Sequence, residues 1–272
     1  MFDSGFGGLT VARAVIDLLP GEDVVYIGDT GRYPYGNRSL GELREFARQL
    51  AWSLVTDYDA KVVVVACNSA ASAALDDLVA ELPVPVISVI EPGARALVTV
   101  TRNGHVGVIG TVGTIGSGAY QEAVAGAHDG VKLTCAACPG FVEFVERGET
   151  SGEEITILAE RLLAPLRDAE VDSLLLGCTH YPYLARVIGE VMGPDVVLVS
   201  SADETAFVVR DQLTRNDLLR PDPGAPAEHL FLSSGDISWF ADLGRRLLGP
   251  ELSTAGRWSA DTVSVPSTPE EG

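Results

Sequence analysis

Lysine is nearly absent from this chain of 272 residues. Lys61 and Lys132 are its only lysines, and each stands at the start of a predicted strand. Ligands of α/β proteins bind at the opposite, carboxyl ends of strands. The scarcity and placement of lysine therefore argue against an enzyme that holds pyridoxal phosphate as a Schiff base.

Long hydrophobic runs are missing as well. Runs such as Val62 to Ala66 and Leu174 to Leu176 have the length of a strand, whereas a membrane span needs about 20 apolar residues. The N-terminal residues also lack the charged, apolar and cleavable segments of a signal peptide. We therefore expect no membrane association and a cytoplasmic location.

Basic residues are outnumbered, since 19 Lys and Arg face 38 Asp and Glu, for a net charge of -19. A surface of this sign repels phosphate backbones, so we expect no direct binding of nucleic acid. An acidic chain can still bind an anionic small molecule where the site itself provides N–H groups and hydroxyls. Cysteine is also scarce, and the four present are predicted to be free thiols.

Apolar segments rich in Val, Ile and Leu alternate along the chain with segments of helical periodicity. The predicted strands are Val24 to Gly28, Val62 to Ala66, Val84 to Val89, Val106 to Gly110, Ser173 to Gly177 and Val196 to Ser200. The predicted helices are Leu9 to Leu19, Leu40 to Tyr58, Ala70 to Glu81, Glu154 to Arg167 and Leu184 to Met192. This alternation predicts an α/β fold with mainly parallel sheets.

Residues 62–69 and 172–180 form a weak internal repeat. In each copy a buried strand runs into a small residue, then into Cys67 or Cys178, and then into two hydrogen-bonding residues that open a helix. The repeat predicts two pseudo-symmetric α/β domains that face each other across a cleft. We place the first domain at 1–90 and 200–257, the second at 91–199 with a break near Ile90 to Pro92, and a disordered tail at 258–272.

Cys67 and Cys178 each lie between the carboxyl end of a strand and the amino end of a helix. Unpaired N–H groups and the positive end of the helix dipole stabilise a thiolate there, so we expect both thiols to be unusually acidic. Two such groups on opposite sides of an amino acid can remove the Cα proton from one face and return a proton to the other. The alternative is that both are inert, small apolar side chains of the core.

Two further segments favour an anionic ligand. The turn Asp3-Ser4-Gly5-Phe6-Gly7-Gly8 permits close backbone approach at a helix start, although its glycine spacing does not fit a dinucleotide fingerprint. Residues 110–117 present hydroxyls and N–H groups after a strand, which suits a carboxylate or ordinary helix capping. His180, two residues after Cys178, can carry a proton or serve a structural role.

Cys135 and Cys138 have the spacing of a redox or zinc half-site. No second Cys or His pair of suitable spacing accompanies them, so we expect no metal site. A thiol-redox or zinc role of this pair stays a third alternative.

Four motifs carry a resemblance to a known family: Asp3-Ser4-Gly5, Tyr33-Pro34-Tyr35-Gly36, Ala66-Cys67-Asn68-Ser69 and Gly177-Cys178-Thr179-His180-Tyr181-Pro182. From Phe2 to about Leu248 the sequence resembles the glutamate racemases. The resemblance implies an active site in the interdomain cleft and no cofactor. It also implies interconversion of L- and D-glutamate for peptidoglycan synthesis.

The resemblance also implies residue roles. Cys67 would take the proton from D-glutamate with the help of Asp3, and Cys178 would take it from L-glutamate with the help of His180 and its partner Glu146. The implied substrate-binding residues comprise a group for the amino-acid head and a group for a carboxylate: Ser4, Asn68, Ser69 and Thr179, then Pro34, Tyr35, Gly36, Thr111 and Thr114.

Two features depart from the family pattern. Ser69 stands where threonine is usual, and its hydroxyl can make the same hydrogen bond. The strand that leads into Asp3 is short, so we expect weaker support for this residue. The resemblance leaves open a homodimer, a racemase of aspartate or another acidic amino acid, and an interaction protein that binds DNA gyrase.

Overall fold

The structure is a computed structural model that describes residues 1–221, 227–249, 252, 254–260, 263 and 265. Within these residues it has the α/β class expected from the sequence, and every strand pair is parallel. The strands β1–β10 are Phe2–Asp3, Val24–Gly28, Val63–Val65, Val86–Ser88, His105–Gly110, Lys132–Ala137, Ser173–Gly177, Val197–Val199, His229–Ser233 and Gly256–Arg257.

The helices surround these strands. In chain order, α1–α11 are Leu9–Leu18, Leu40–Thr56, Asn68–Glu81, Ile90–Val100, Val112–Gly116, Ala119–Ala127, Phe141–Glu146, Glu153–Asp168, Ala185–Met192, Ser201–Arg215 and Ile237–Leu248. No helix in the described part of the chain is both long and apolar enough to cross a membrane.

The strands form two sheets whose internal order repeats. The first sheet runs β10-β9-β2-β1-β3-β4 and the second runs β6-β5-β7-β8. The order β2-β1-β3-β4 is thus reproduced as β6-β5-β7-β8, which confirms the two pseudo-symmetric units predicted from the repeat. We call each sheet with its helices a lobe. In each lobe the strand order reverses beside the central strand, at β1/β3 and β5/β7, where parallel sheets bind ligands.

The short strand β1 is well supported, contrary to our expectation. Phe2 pairs with Ile27 on one side and Val65 on the other. The α-ammonium of Met1 donates to the carbonyl of Val25 at 2.7 Å, and Asp3 is fully buried. Two residues are enough to form this strand because β2 and β3 form hydrogen bonds with it on both sides.

Local sequence explains several element boundaries. Helix α2 begins with a capping box in which the Ser39 side chain accepts from the N–H of Glu42 while the Glu42 carboxylate accepts from the N–H of Ser39. Strand β7 is buried along its whole length, which fits its continuous apolar run. At the predicted domain break, Pro92 lies in the first turn of α4, where a helix tolerates proline because that N–H needs no helical partner.

The chain near Trp258 is ordered, so the prediction of a disordered tail from residue 258 is wrong at its start. Trp258 is only 4% exposed, and its indole N–H donates to the Ser53 hydroxyl at 2.9 Å. The preceding strand, β10, adds to the edge of the first sheet beside β9. The free energy gained by burying an aromatic ring against a core outweighs the tendency of the polar residues around it to stay disordered. Most later positions of the predicted tail lie outside the described residues.

Candidate active site

A pocket lies between the two lobes, where the carboxyl ends of strands from both sheets meet. Both cysteines line it, Cys67 after β3 and Cys178 after β7. Most of the site residues predicted from the sequence line the same pocket: Ser4, Pro34, Tyr35, Gly36, Cys67, Asn68, Ser69, Thr111, Cys178, Thr179 and His180.

Three predicted residues, Asp3, Thr114 and Glu146, lie one layer behind the pocket wall. Asp3 accepts a hydrogen bond of 3.2 Å from Thr179, and the Thr114 hydroxyl lies 3.1 Å from that of Ser69. Glu146 Oε1 lies 3.8 Å from His180 Nε2. These residues therefore act on the pocket through the side chains in front of them.

Cys67 caps the amino end of α3, where the N–H of Ala70 donates to its sulfur at 3.5 Å. The thiol is only 4% exposed. Burial and then the nearby Asp3 raise the pKa of Cys67, hydrogen bonds from Ala70 and Ser4 lower it by less, and the result is a pKa of about 12. Loss of water around the thiolate outweighs the stabilising helix terminus.

Cys178 lies in an equally dry position after β7, with 7% of its surface exposed. Burial again raises the pKa of this thiol well above its ordinary range. The expectation of two unusually acidic thiols is therefore wrong for the protein in this structure. Helix termini lower a thiol pKa only where the sulfur keeps enough polar contact to offset desolvation.

Asp3 has no exposed surface, and its carboxyl lies close enough to Cys67 to affect the pKa of that thiol. The N–H of Gly5 donates to its Oδ1 at 2.8 Å, and Thr179 from the second lobe donates to its Oδ2. Burial raises the pKa of Asp3 to about 6 despite these hydrogen bonds. The carboxyl thus joins the two lobes and has a pKa that suits proton exchange near neutrality.

His180 is nearly fully buried next to the second thiol, with Nδ1 3.9 Å from the Cys178 sulfur. The Phe6 ring packs edge-on against the imidazole with centroids 4.7 Å apart. Burial lowers the pKa of His180 to about 4, so the ring is neutral near pH 7. A neutral ring can accept a proton at the nitrogen that faces the thiol.

Three hydroxyls from both lobes meet at one wall of the pocket. Ser69 Oγ lies 3.1 Å from both Thr111 Oγ1 and Thr114 Oγ1, and the two threonine hydroxyls lie 3.0 Å apart. Thr111 also caps α5 by accepting from the N–H of Thr114. Serine in place of the family's usual threonine therefore still joins α3 of the first lobe to α5 of the second.

Two polar side chains at the pocket have defined partners. Asn68 accepts a hydrogen bond from the Tyr120 hydroxyl, and its buried amide nitrogen has no partner among the described residues. Tyr35 donates its hydroxyl to Asp29. Asn68 thus offers a donor, whereas any carboxylate contact from Tyr35 must come from its main chain.

Sequence reasoning missed part of the pocket wall, namely Tyr33, Asn37, Val112, Cys138, Pro139, Gly140, Val142, Glu143 and Tyr181. Cys138 follows the last residue of β6, so the rule that ligands gather at strand ends would have found it. Its pairing with Cys135 instead suggested a zinc half-site. No cluster of three or more side chains suited to a metal is found in the described part of the chain.

Fold and site together define a pseudo-symmetric, two-lobed α/β protein with one buried cysteine from each lobe in a shared pocket. Known proteins resemble this chain in sequence and in fold. The sequence profile of the Asp/Glu/hydantoin racemase family matches residues 10–206. A glutamate racemase from Parafrankia sp. is 53% identical over 253 residues, which cover 93% of this chain and 91% of that protein. The chain therefore belongs to the Asp/Glu/hydantoin racemase family.

Solved structures agree with this assignment. A glutamate racemase from Bacillus anthracis has a TM-score of 0.88 to this chain at 40% sequence identity and covers 94% of both chains. A glutamate racemase from Francisella tularensis, solved in complex with D-glutamate, also has a TM-score of 0.88, at 31% identity over 96% of this chain and 97% of that chain. The resemblance inferred from the four motifs is confirmed.

Proposed function

We propose that this protein interconverts L- and D-glutamate without a cofactor, using Cys67 and Cys178 as acid/base groups on opposite faces of Cα. The observation that carries the proposal is that the two thiols follow equivalent strands of two related lobes and line the same pocket. The names of the similar proteins, and the D-glutamate bound to one of them, support glutamate as the substrate.

The proposed reaction is a balanced transfer of two protons. With L-glutamate, the Cys178 thiolate takes the Cα proton and becomes a thiol, and the electron pair stays on the substrate as a carbanion. The Cys67 thiol then donates its proton to the opposite face of Cα and becomes a thiolate. D-glutamate reacts by the reverse sequence, so each turnover in one direction leaves the enzyme ready for the other.

The raised thiol pKa values fit this role. The Cα–H of an amino acid is a very weak acid, so a poorly solvated, strongly basic thiolate is a better base for it. The substrate's ammonium group would bring a positive charge beside the sulfurs and favour the thiolate when substrate binds. In this proposal Asp3 and His180 act as proton acceptors for Cys67 and Cys178, respectively.

Hydrogen-bond donors around the pocket suit the two carboxylates of glutamate. The amide nitrogen of Asn68 is buried and finds no hydrogen-bond partner within the described part of the chain, and Ser69 and Thr111 line the same pocket. Donors aimed at a carboxylate stabilise the negative charge that develops when Cα loses its proton. The lysines do not contribute, since neither lines the pocket and Lys61 forms an ion pair of 2.6 Å with Glu22.

The product assigns the protein a place in metabolism. D-glutamate is a building block of peptidoglycan, and we propose that the protein supplies it for cell-wall synthesis in the cytoplasm. Aspartate stays the alternative substrate, because one methylene changes binding by about 1–3 kcal/mol. Gyrase binding and a homodimer stay predictions from the resemblance.

Isotope exchange tests the mechanism directly. We would incubate the purified chain with L- or D-glutamate, and separately with aspartate, in D2O, and follow optical rotation and deuterium at Cα. The variants are Cys67→Ala and Cys178→Ala, with Cys135→Ala as a matched control outside the pocket wall. Both active-site variants should lose racemisation, while the control keeps it.

Deuterium exchange also distinguishes the roles of the two thiols, whereas kcat/KM for racemisation does not. The enantiomers have equal free energies in water, so kcat/KM must be the same in both directions for every variant. Cys67→Ala should still exchange the Cα proton of L-glutamate only, and Cys178→Ala that of D-glutamate only. Racemisation that survives loss of either thiol, or a folded chain with no turnover of glutamate, would contradict the proposal.

A further inference from the structure

Three buried polar atoms without hydrogen-bond partners lie together behind the second thiol. They are the hydroxyl of Tyr33, Oε1 of Glu146 and Nε2 of His180, and none has a hydrogen-bond partner in the described part of the chain. Glu146 Oε1 and His180 Nε2 are 3.8 Å apart, and the rings of Tyr33 and His180 have centroids 5.9 Å apart. A buried polar atom is costly to leave unpaired, so three in one place indicate a network that serves a function.

The donors and acceptors of these three atoms match. A tyrosine hydroxyl donates, a carboxylate accepts from more than one donor, and an imidazole with its proton on Nε2 donates to the carboxylate. In that tautomer Nδ1 of His180 has its lone pair free to accept the proton of Cys178, whose sulfur is 3.9 Å away. Hydrogen bonds with these directions would link Tyr33 through Glu146 and His180 to the thiol.

We infer that Tyr33 is a positioning residue for Cys178: its hydroxyl donates to Glu146 and holds that carboxylate against His180, which fixes the imidazole tautomer. This inference rests on the proposed function, to which it adds a residue of the first lobe. Tyr33 lies in the loop between β2 and α2, whereas Glu146, His180 and Cys178 all belong to the second lobe. Because Tyr33 and Glu146 belong to different lobes, the inferred hydrogen bond would join the first lobe to the proton relay of the second.

The charged and titratable groups around Glu146 agree with this assignment. Burial raises the pKa of Glu146, the Tyr33 hydroxyl lowers it and the neighbouring Glu143 raises it, and the result is a pKa of about 7. His180 Nε2 lies 3.8 Å from the Glu146 carboxyl, and the imidazole is neutral near pH 7. Burial and then the Glu146 carboxyl raise the pKa of Tyr33 far above its ordinary value, so the phenol stays a donor at every working pH.

The first test is the pH dependence of Tyr33→Phe, with Tyr58→Phe as a matched control at the far end of α2. Removing the hydroxyl should raise the pKa of Glu146 and move the acid limb to higher pH, so that kcat/KM at pH about 7 falls about tenfold relative to its value at high pH. Tyr58→Phe should keep the wild-type profile. A structural defect would lower activity at all pH values without moving the acid limb, and that outcome would overturn the inference.

A double-mutant cycle then asks whether Tyr33 acts through Glu146. In a Glu146→Gln background the tyrosine hydroxyl has no carboxylate to position. Adding Tyr33→Phe should therefore change kcat/KM less than about twofold at any pH. An equal loss in both backgrounds would show that Tyr33 contributes by another route.

A third readout does not depend on turnover. Carbon-13 labelling of glutamate side chains lets NMR follow the titration of the Glu146 carboxyl, which is assigned by its absence from Glu146→Gln. This resonance should titrate at higher pH in Tyr33→Phe than in the wild type and Tyr58→Phe. An inactive wild-type chain would end the proposed function, while this titration would still decide the role of Tyr33.

Discussion

At the scale of single residues, burial dominates the electrostatics of the site. It raises the pKa of Cys67 to about 12, that of Glu146 to about 7 and that of Asp3 to about 6, and lowers that of His180 to about 4. Each shift favours the neutral form of the group. The pocket therefore keeps protons on its thiols and off its imidazole near neutral pH.

These shifts predict how activity depends on pH. Asp3 and Glu146 have pKa values above those of ordinary carboxyls, so they gain protons as the pH falls through 7 and then 6, and they lose the negative charge with which they accept a proton or hold a donor. We expect kcat/KM to fall over this range, because that constant reports the free enzyme. His180 stays neutral until about pH 4 and does not cause the loss.

The measurement is kcat/KM for L-glutamate from pH about 8 to about 5. Glu146→Gln should lower the plateau and remove the step near pH 7, leaving the step assigned to Asp3. An acid limb centred near pH 4 in both proteins would assign the loss to His180 instead.

At the scale of elements, the two lobes approach each other closely at a glycine before the first helix. The turn between β1 and α1 approaches the second lobe at Gly7, where an added Cβ would lie 2.4 Å from Thr179 Oγ1 and 2.8 Å from His180 Nδ1. Both atoms belong to residues that line the pocket, and Thr179 Oγ1 donates a hydrogen bond to Asp3. Glycine is needed here for space between two lobes rather than for an unusual backbone angle.

Gly7→Ala should therefore reduce activity far more than stability. The added methyl would push the turn away from Thr179 and His180 of the second lobe, and a displacement of about 1 Å in an active site can cost about 100-fold in rate. The control is Gly41→Ala in α2, where a Cβ meets nothing within 4 Å. It should keep full activity and gain about 0.5 kcal/mol of stability. Equal activity of the two variants would show that the contact at Gly7 is unimportant.

At the scale of the whole molecule, the C-terminal segment supports the pocket from outside. Trp258 is buried on the first lobe, and the Arg32 guanidinium lies 5.5 Å from the centroid of its ring. Arg32 donates to Asp29 at 2.6 Å, and Asp29 also accepts from Tyr35 in the pocket wall. Trp258 is thus linked to Tyr35 in the pocket wall by three successive contacts.

Trp258→Ala should lower the free energy of unfolding by about 3–5 kcal/mol, as large-to-small changes at buried aromatic positions do. Trp258→Phe keeps most of the apolar contact and loses the hydrogen bond to Ser53, so it should cost about 1 kcal/mol. Urea unfolding of both variants gives the comparison. An unchanged midpoint in Trp258→Ala would show that this segment does not stabilise the fold.

The sequence predicted the parts of the fold and site that depend on local pattern. The strands that end at Gly28 and Gly177 were predicted with their observed bounds, because a continuous apolar run is a local property. Cys67 and Cys178 stood out for the same reason, since each follows such a run. Helix α4 was missed because Pro92 and Gly93 disguise its first turn.

Length, composition and motif spacing by themselves determined the α/β class, the duplication of the strand-cysteine unit and the family. Only the tertiary structure decided the environment of those residues: that the thiols are less acidic than free cysteine, that Cys138 forms part of the pocket wall, and that Tyr33 stands beside Glu146. The physical reason is the separation along the chain over which each effect acts. Hydrophobic periodicity acts between neighbours in the chain, whereas desolvation and contacts between lobes depend on segments that only folding brings together.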